Sequence, residues 1–238
     1  MLSSAASDVY KRQTIEIVDI AGLVKGASKG EGLGNKFLAN IRNTNAIIHV
    51  LRCFENDNIT HVDGSIDPVR DKGIIDTELQ LKDLETIENR LAKTQKQAVV
   101  GGDKQAKRAV EILLQYKAVL EQGLSARTVE LEKEDRKLVA DLNLLTDKPV
   151  LYVCNVDEKS AVTGNEHTRA VEAAIADERA EMLIVAAATE ADIAELDEYE
   201  ERQMFLEEIG LKESGVARLI KAAYKLSLIH ISEPTRHL

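Results

Sequence analysis

The chain has 238 residues, enough for one sizeable core or for a core with a second, smaller lobe. Its 31 lysines and arginines are outnumbered by 41 aspartates and glutamates, and the net charge of −10 argues against general DNA binding. Two cysteines exclude a disulfide framework, and no stretch reads as a membrane span, so we expect a cytoplasmic protein that binds neither DNA nor membrane.

The two ends of the sequence are related in an unusual way at the DNA level. Residues 8–13 (DVYKRQ) can be encoded by a short DNA sequence whose reverse complement encodes residues 226–231 (LSLIHI). This symmetry is typical of translated sequencing adaptors, so we predict that residues 1–13 and 226–238 are not native. The native part is then an internal fragment, from about Thr14 to Lys225.

The first native stretch predicts a phosphate site. The β-branched run from Ile15 to Ile20 is typical of a buried strand, and it ends in the pattern Asp19-x-x-Gly22. A glycine-rich loop follows, with Gly26, Gly30, Gly32 and Gly34. A carboxylate at a strand end beside such a loop suits Mg²⁺ and a terminal phosphate. The alternative is a strand that ends in a mobile turn.

The next segments alternate before they become purely helical. We predict a helix at 36–43, a strand at 46–54 and a long polar loop at 55–76. From 77 to about 145 three amphipathic stripes follow, the first two separated by Gly101-Gly102, which predicts an antiparallel helical hairpin. Its outer cations are either solvated surface or a docking surface for a large anionic partner: Lys104, Lys107, Arg108, Lys133, Arg136 and Lys137.

Strand and helix alternation resumes after Pro149. The apolar runs at 150–154 and 182–187 predict strands, and residues 167–176, 197–209 and 216–225 predict helices. The pattern indicates an α/β domain that contains a helical insertion. The first of these strands ends in Asn155-Val156-Asp157-Glu158, where a nucleotide-binding sheet carries polar residues that contact the base.

Together these motifs resemble the YchF or Obg-like ATPase family, within the Obg-related P-loop GTPases. The similarity covers essentially all of residues 14–225. It rests on four blocks: DIAGLVKGASKGEGLGNKFLANIR at 19–42, HVLRCFENDN at 49–58, NVDE at 155–158 and ADIAELDEYE at 191–200.

The resemblance implies a P-loop NTPase fold, Rossmann-like with a mostly parallel sheet and an inserted antiparallel helical hairpin domain. The nucleotide-binding domain would comprise 14–76 and 146–225, and the helical lobe 77–145. The family implies slow hydrolysis of ATP with Mg²⁺, a preference for ATP over GTP, and association with the ribosome or a ribosomal subunit.

The resemblance also implies site roles. Asp19 would contact Mg²⁺ through water, and Gly22 would give its amide to the γ-phosphate. Asn155, Val156 and Glu158 would form the loop that holds adenine, with support from backbone amides around Ala187. The second switch would contain Leu23, Gly26, Gly30, Gly32 and Gly34.

Leu23 departs from Ras-type enzymes, and the missing phosphate loop departs from the family. Leu23 stands where Ras-type enzymes have a water-orienting glutamine, so His61 is a candidate to position water, or is simply a solvated loop histidine. The sequence contains no G-x-x-x-x-G-K-[ST], so we expect the fragment itself to be inactive. The alternative function is a non-hydrolysing scaffold that binds a partner through the helical hairpin. A true GTPase is disfavoured by Val156 and Glu158.

Overall fold

The computed structural model describes residues 14–20, 33–56, 58–59, 64–100 and 103–229. The strands in these ranges are β1 (Ile47–Arg52), β2 (Val150–Asn155) and β3 (Glu181–Val185). The helices are α1 (Leu33–Arg42), α2 (Pro68–Val100), α3 (Lys104–Glu121), α4 (Lys133–Val139), α5 (Glu166–Ala174), α6 (Ala187–Glu195), α7 (Tyr199–Glu208) and α8 (Gly215–Ile229). Within these ranges no helix combines the length and the apolar character needed to cross a membrane.

The three strands form one parallel sheet in the order β1-β2-β3. Ile47 lies opposite Val150 and Arg52 lies opposite Asn155, so β1 and β2 end at the same level. Asn155 in turn lies opposite Val185 at the end of β3. The central strand is almost completely buried, because its continuous apolar sequence faces helices on both sides. The predicted parallel α/β sheet is confirmed.

Helices cover both faces of this sheet. Alternate residues of β2 point in opposite directions, so Tyr152 packs near Val171 of α5 while Val153 packs near Leu226 of α8. The helix α8 continues to Ile229, four residues beyond the predicted end at Lys225. Leu226, at the start of the stretch predicted to be non-native, is buried in this core.

The long helices α2 and α3 pack along each other. Gln80 donates to the carbonyl oxygen of Gly123 at 2.9 Å, and Lys117 pairs with Glu88 at 2.7 Å, as expected for helices that run in opposite directions. They share a buried core with α4, made of Ile87, Leu91, Ile112, Leu113, Tyr116, Leu120 and Val139. That this pair is a domain inserted into a nucleotide-binding domain stays a prediction.

A buried carboxylate ties α2 to the segment that leads into β2. Asp83 is fully buried and accepts hydrogen bonds from the N–H groups of Leu145 and Thr146, both at 2.8 Å, and from the Thr146 hydroxyl at 2.7 Å. Burial raises the pKa of Asp83, and these hydrogen bonds act in the opposite direction. The contact fixes where the chain returns from the helices to the sheet.

The predicted strand at 15–20 is wrong. Residues 14–20 form neither helix nor strand, and the side chains of Ile17 and Val18 are 60% and 56% exposed. A strand exists only through hydrogen bonds to a neighbour, and the described residues offer this segment none. Ile20 alone packs inward, against a cluster that includes Leu38 and Leu79.

The helices differ from the prediction in three larger respects. Residues 68–76 are helical rather than part of a polar loop, because Asp67 accepts a hydrogen bond from the Arg70 N–H and Pro68 suits the first helical position. The helix α4 ends at Val139, so the third predicted stripe does not reach 145 as one helix. The helix α6 was not predicted at all.

Candidate functional site

The predicted base-contacting residues lie at the carboxyl edge of the parallel sheet. The strands β1 and β2 end together at Arg52 and Asn155, and β3 ends next to them at Val185. In open parallel sheets, ligands bind outside this edge, where the loops that follow the strands converge. The tertiary structure therefore brings the Asn155 loop and the start of α6 to one place.

A hydrogen bond joins the two predicted parts of the base site. The side-chain oxygen of Asn155, which is half-buried, accepts from the N–H of Ala187 at 3.0 Å. Ala187 is the first residue of α6, and its N–H has no partner within the helix. The bond thus fixes the start of α6 against the end of β2.

The remaining residues of the Asn155 loop have distinct environments. Val156 is buried, and its N–H donates to the carbonyl oxygen of Val185 at 2.9 Å. Asp157 caps a short 3-10 turn, Glu158–Ser160, by accepting from the Ser160 N–H at 3.0 Å. This cap leaves Glu158 exposed to solvent, where its carboxylate can meet a ligand. The loop therefore presents the exposed carboxylate of Glu158 and the side-chain amide of Asn155, which its hydrogen bond holds in place.

Arg52 and Asn165 organise the same edge, although neither was predicted as a site residue. The Arg52 guanidinium donates to the carbonyl oxygens of Phe54, Asn56 and Ile59, at 2.9 to 3.2 Å. Asn165 caps α5 and also donates from its amide nitrogen to the carbonyl oxygen of Cys53 at 2.7 Å. The only sequence signal for Arg52 was its place in the HVLRCFENDN block.

Two buried thiols lie directly beneath the edge. Cys53 follows β1, Cys154 precedes Asn155, and both are fully buried and reduced. Interaction between the neighbouring thiols, together with burial, raises the pKa of the Cys53 thiol, and the same interaction lowers the pKa of Cys154.

A compact group of charges lies on one face of the sheet, away from the edge. Glu178 pairs with Lys72 of α2 and with Arg127, and it accepts a hydrogen bond from the Tyr152 hydroxyl at 2.9 Å. Lys72 also pairs with Asp76 at 2.6 Å. These groups join α2 to the sheet, and we assign them a structural role.

The predicted phosphate half of the site is only partly described. Asp19 is exposed and makes no hydrogen bond to the base-site residues within the described ranges. Gly34 lies in α1. The other predicted residues, Gly22, Leu23, Gly26, Gly30, Gly32 and the proposed water-positioning His61, lie outside the described residues. Their roles stay predictions.

Comparison with known proteins finds one matching family and several similar bacterial proteins. Residues 4–100 match the family described as 50S ribosome-binding GTPase. The ribosome-binding ATPases YchF of Bacillus subtilis (strain 168) and Escherichia coli O157:H7 are 52% and 50% identical to this chain over 213 residues. These alignments cover 89% and 90% of this chain and 58% of each relative.

A solved structure shows the same fold. The structure of the Schizosaccharomyces pombe YchF GTPase superimposes with a TM-score of 0.73 at 29% identity, over 87% of this chain and 56% of that one. The chain thus spans 58% of the length of these curated bacterial relatives. The parallel sheet, the matched family and identities near 50% lead to one conclusion: this chain is a homologue of the YchF ribosome-binding ATPases.

Proposed function

We propose that this chain is the base-binding part of a ribosome-associated P-loop ATPase, and that the complete protein binds ATP with Mg²⁺ and hydrolyses it slowly as a conformational switch. The observation that carries the proposal is the hydrogen bond from the Ala187 N–H to the Asn155 side chain. It joins the ends of β2 and β3 into one preformed surface where a nucleobase would sit.

The relatives are named for different nucleotides: the bacterial ones are ATPases and the fission-yeast structure is a GTPase. We propose that ATP is preferred. In P-loop GTPases an aspartate at the position of Glu158 accepts hydrogen bonds from the N1 and N2 donors of guanine. The longer Glu158 side chain displaces that carboxylate, and the buried Val156 supplies no lysine stem to pack along the base.

Mg²⁺ would be bound together with the nucleotide phosphates. Within the described ranges, no group of three or more histidine, cysteine or acidic residues could hold a metal ion by itself. The exposed Asp19 carboxylate fits the water-mediated contact proposed for it, because Mg²⁺ commonly keeps several waters and takes few protein ligands. Mg²⁺ would neutralise charge on the phosphates, and His61 is the proposed residue to orient water.

The second candidate function is a scaffold that does not hydrolyse nucleotide. The absence of G-x-x-x-x-G-K-[ST] from these 238 residues would favour it only if both ends of the sequence were native, since that loop supplies most phosphate contacts in such enzymes. We therefore expect the 238-residue chain alone to bind ATP weakly. The complete protein distinguishes the two functions, because a scaffold would bind neither ATP nor GTP.

The test is calorimetric titration of the complete protein with ATP and GTP in Mg²⁺. We expect ATP to bind at least about tenfold more tightly, a difference of about 1.4 kcal/mol. The double variant Val156→Lys/Glu158→Asp should move the preference towards GTP. The control Glu172→Asp, at an exposed position on α5, should leave it unchanged. Equal binding of both nucleotides, or a preference that the double variant does not alter, would contradict the ATP assignment.

A further inference from the structure

The end of the α2–α3 pair that lies far from the sheet carries a concentration of exposed lysines. We define the hairpin tip as residues 93–98 of α2 together with 103–108 at the start of α3. Lys93 and Lys96 lie exposed on α2, and Lys104 and Lys107 lie exposed on α3. Between positions 93 and 108, five cations accompany one carboxylate, a net charge of +4 in a chain whose total is −10.

None of these four lysines has an ion pair with a described residue, unlike the other cations of α2 and α3. Along the rest of the helical pair the cations are neutralised: Lys117 pairs with Glu88 and Glu121, Arg90 with Asp141, and Lys82 with Glu85. Arg108, at the boundary of the tip, pairs with Glu111 and Asp135. The one tip carboxylate, Asp103, is used as the cap of α3.

This arrangement costs local stability. Lys93 and Lys96 are three residues apart on one helix, and Lys104 and Lys107 repeat that spacing on the next. Like charges at this spacing are neighbours on a helix surface and repel by a few tenths of a kcal/mol per pair. The lysines at 104 and 107 also lie in the first two turns of α3, where the helix dipole disfavours cations. An anionic partner would neutralise these lysines and so remove both unfavourable effects.

The tip is also placed to reach a large partner. The first turns of α2 contact the sheet through Val69 and Lys72, whereas Lys93 lies 25 residues beyond the helix start at Pro68. At 1.5 Å per residue this is about 37 Å along the helix axis. Contacts at the tip would therefore leave the carboxyl edge of the sheet accessible.

We propose that the hairpin tip binds the phosphate backbone of RNA. The proposal rests on the proposed function, in which the partner is a ribosome. Unpaired lysines supply the cations that replace counterions along a phosphate backbone, and Gln95, Gln97 and Gln105 add exposed amide donors. The tip sequence has no aromatic residue on which a base could stack, so binding should follow backbone shape and charge rather than sequence.

The test measures binding of the 238-residue chain to a fluorescent RNA stem-loop of arbitrary sequence at several salt concentrations, and its cosedimentation with purified ribosomes. Two tip variants are compared, Lys93→Gln/Lys96→Gln and Lys104→Gln/Lys107→Gln. The matched control, Arg169→Gln/Lys212→Gln, removes two exposed cations that also lack an ion pair with a described residue. Glutamine keeps helix propensity, and circular dichroism verifies that each variant is folded.

We expect each tip variant to weaken RNA binding about tenfold at 0.1 M salt and to reduce the slope of log K against log salt by about 1.4 to 1.8. The control should stay within about twofold of wild type. Ribosome cosedimentation should decrease for both tip variants and stay unchanged for the control. If tip and control variants bind RNA equally, the tip assignment is wrong even where wild type binds ribosomes.

Three other results would each overturn a specific claim. Loss of ribosome binding by the tip variants with unchanged RNA binding would indicate an acidic protein surface and overturn the RNA proposal. Absence of both RNA and ribosome binding by wild type would overturn the tip assignment. Absence of ribosome binding by the complete protein would overturn the proposed function separately.

Discussion

Asp83 accepts two hydrogen bonds from Thr146, a residue 63 positions further along the chain, one from its N–H at 2.8 Å and one from its hydroxyl at 2.7 Å. A third bond comes from the Leu145 N–H. These bonds connect the helical pair to the entry of β2, so the stability of the whole chain should depend on a single buried carboxylate.

We expect Asp83→Ala to lower the free energy of unfolding by about 3 kcal/mol or more, because it leaves buried donors without an acceptor. Asp83→Asn retains one carbonyl oxygen and should cost clearly less. Urea unfolding of both variants measures the difference. Equal losses for alanine and asparagine would mean that packing volume, and not hydrogen bonding, determines the effect.

The pairing of Glu178 with Lys72 gives a second prediction. Both side chains are largely buried, and Glu178 also accepts from the Tyr152 hydroxyl. We expect Glu178→Gln to cost about 2 to 3 kcal/mol, towards the lower end for a broken buried pair, because Asp76 still neutralises Lys72. Glu88→Gln, which breaks an exposed pair with Lys117, should cost less than about 1 kcal/mol. Similar Tm shifts for the two variants would refute this ranking.

Because a hydrogen bond joins Asn155 to Ala187, we expect one substitution at Asn155 to affect both stability and nucleotide binding. Asn155→Ala removes the acceptor for the Ala187 N–H and should destabilise the chain by about 1 kcal/mol. In the complete protein it should also weaken ATP binding, because the start of α6 is no longer held against β2. Asn155→Asp keeps an acceptor oxygen and serves as the control. Unaltered ATP affinity in Asn155→Ala would separate this bond from the base site.

His49 predicts a pH dependence of stability. Burial against Tyr152 lowers the pKa of His49 below 6.5, and nearby charges modify it, namely Asp76, Lys72, Glu178 and Arg127. The folded chain therefore binds this proton less readily than the unfolded chain. The stabilising contribution is complete above pH 6.5 and is lost as the pH falls from there through the lower folded-state pKa.

The measurement is the urea midpoint of wild type and His49→Gln between about pH 8 and pH 5. Wild type should lose more stability than the variant as the solution is acidified, since only wild type has this half-buried ring to protonate on unfolding. Parallel pH profiles for the two proteins would show that His49 does not contribute. The other histidines are present in both proteins and cancel in the comparison.

The sequence predicted the parts of the fold that follow from local pattern. The run at 150–154 is apolar without interruption, so it indicated a central buried strand, and β2 occupies that place. The amphipathic stripes on either side of Gly101-Gly102 likewise indicated two long helices. The helix α6 was missed because its first turns are mostly alanine and acidic residues, which carry little apolar periodicity.

The segment at 15–20 shows the limit of the same reasoning. Its β-branched composition is compatible with a strand, yet a strand also requires a hydrogen-bonding neighbour, and composition says nothing about whether one is present. The same limit applies to the candidate site. The NVDE motif could be located in the sequence, whereas the contribution of Arg52 to the adjoining loop appears only when its guanidinium is seen to contact three carbonyl oxygens.

By itself, the sequence determined the alternation of strands and helices, the family resemblance and the identity of the residues that follow β2, because these depend on side-chain character and order along the chain. Only the tertiary structure decided which groups meet. Asn155 and Ala187 are separated by 32 positions, and their contact follows from the parallel register that ends β2 and β3 at one level. Whether a described carboxylate lies within reach of each tip lysine is likewise decided by spatial proximity, which a linear pattern does not specify.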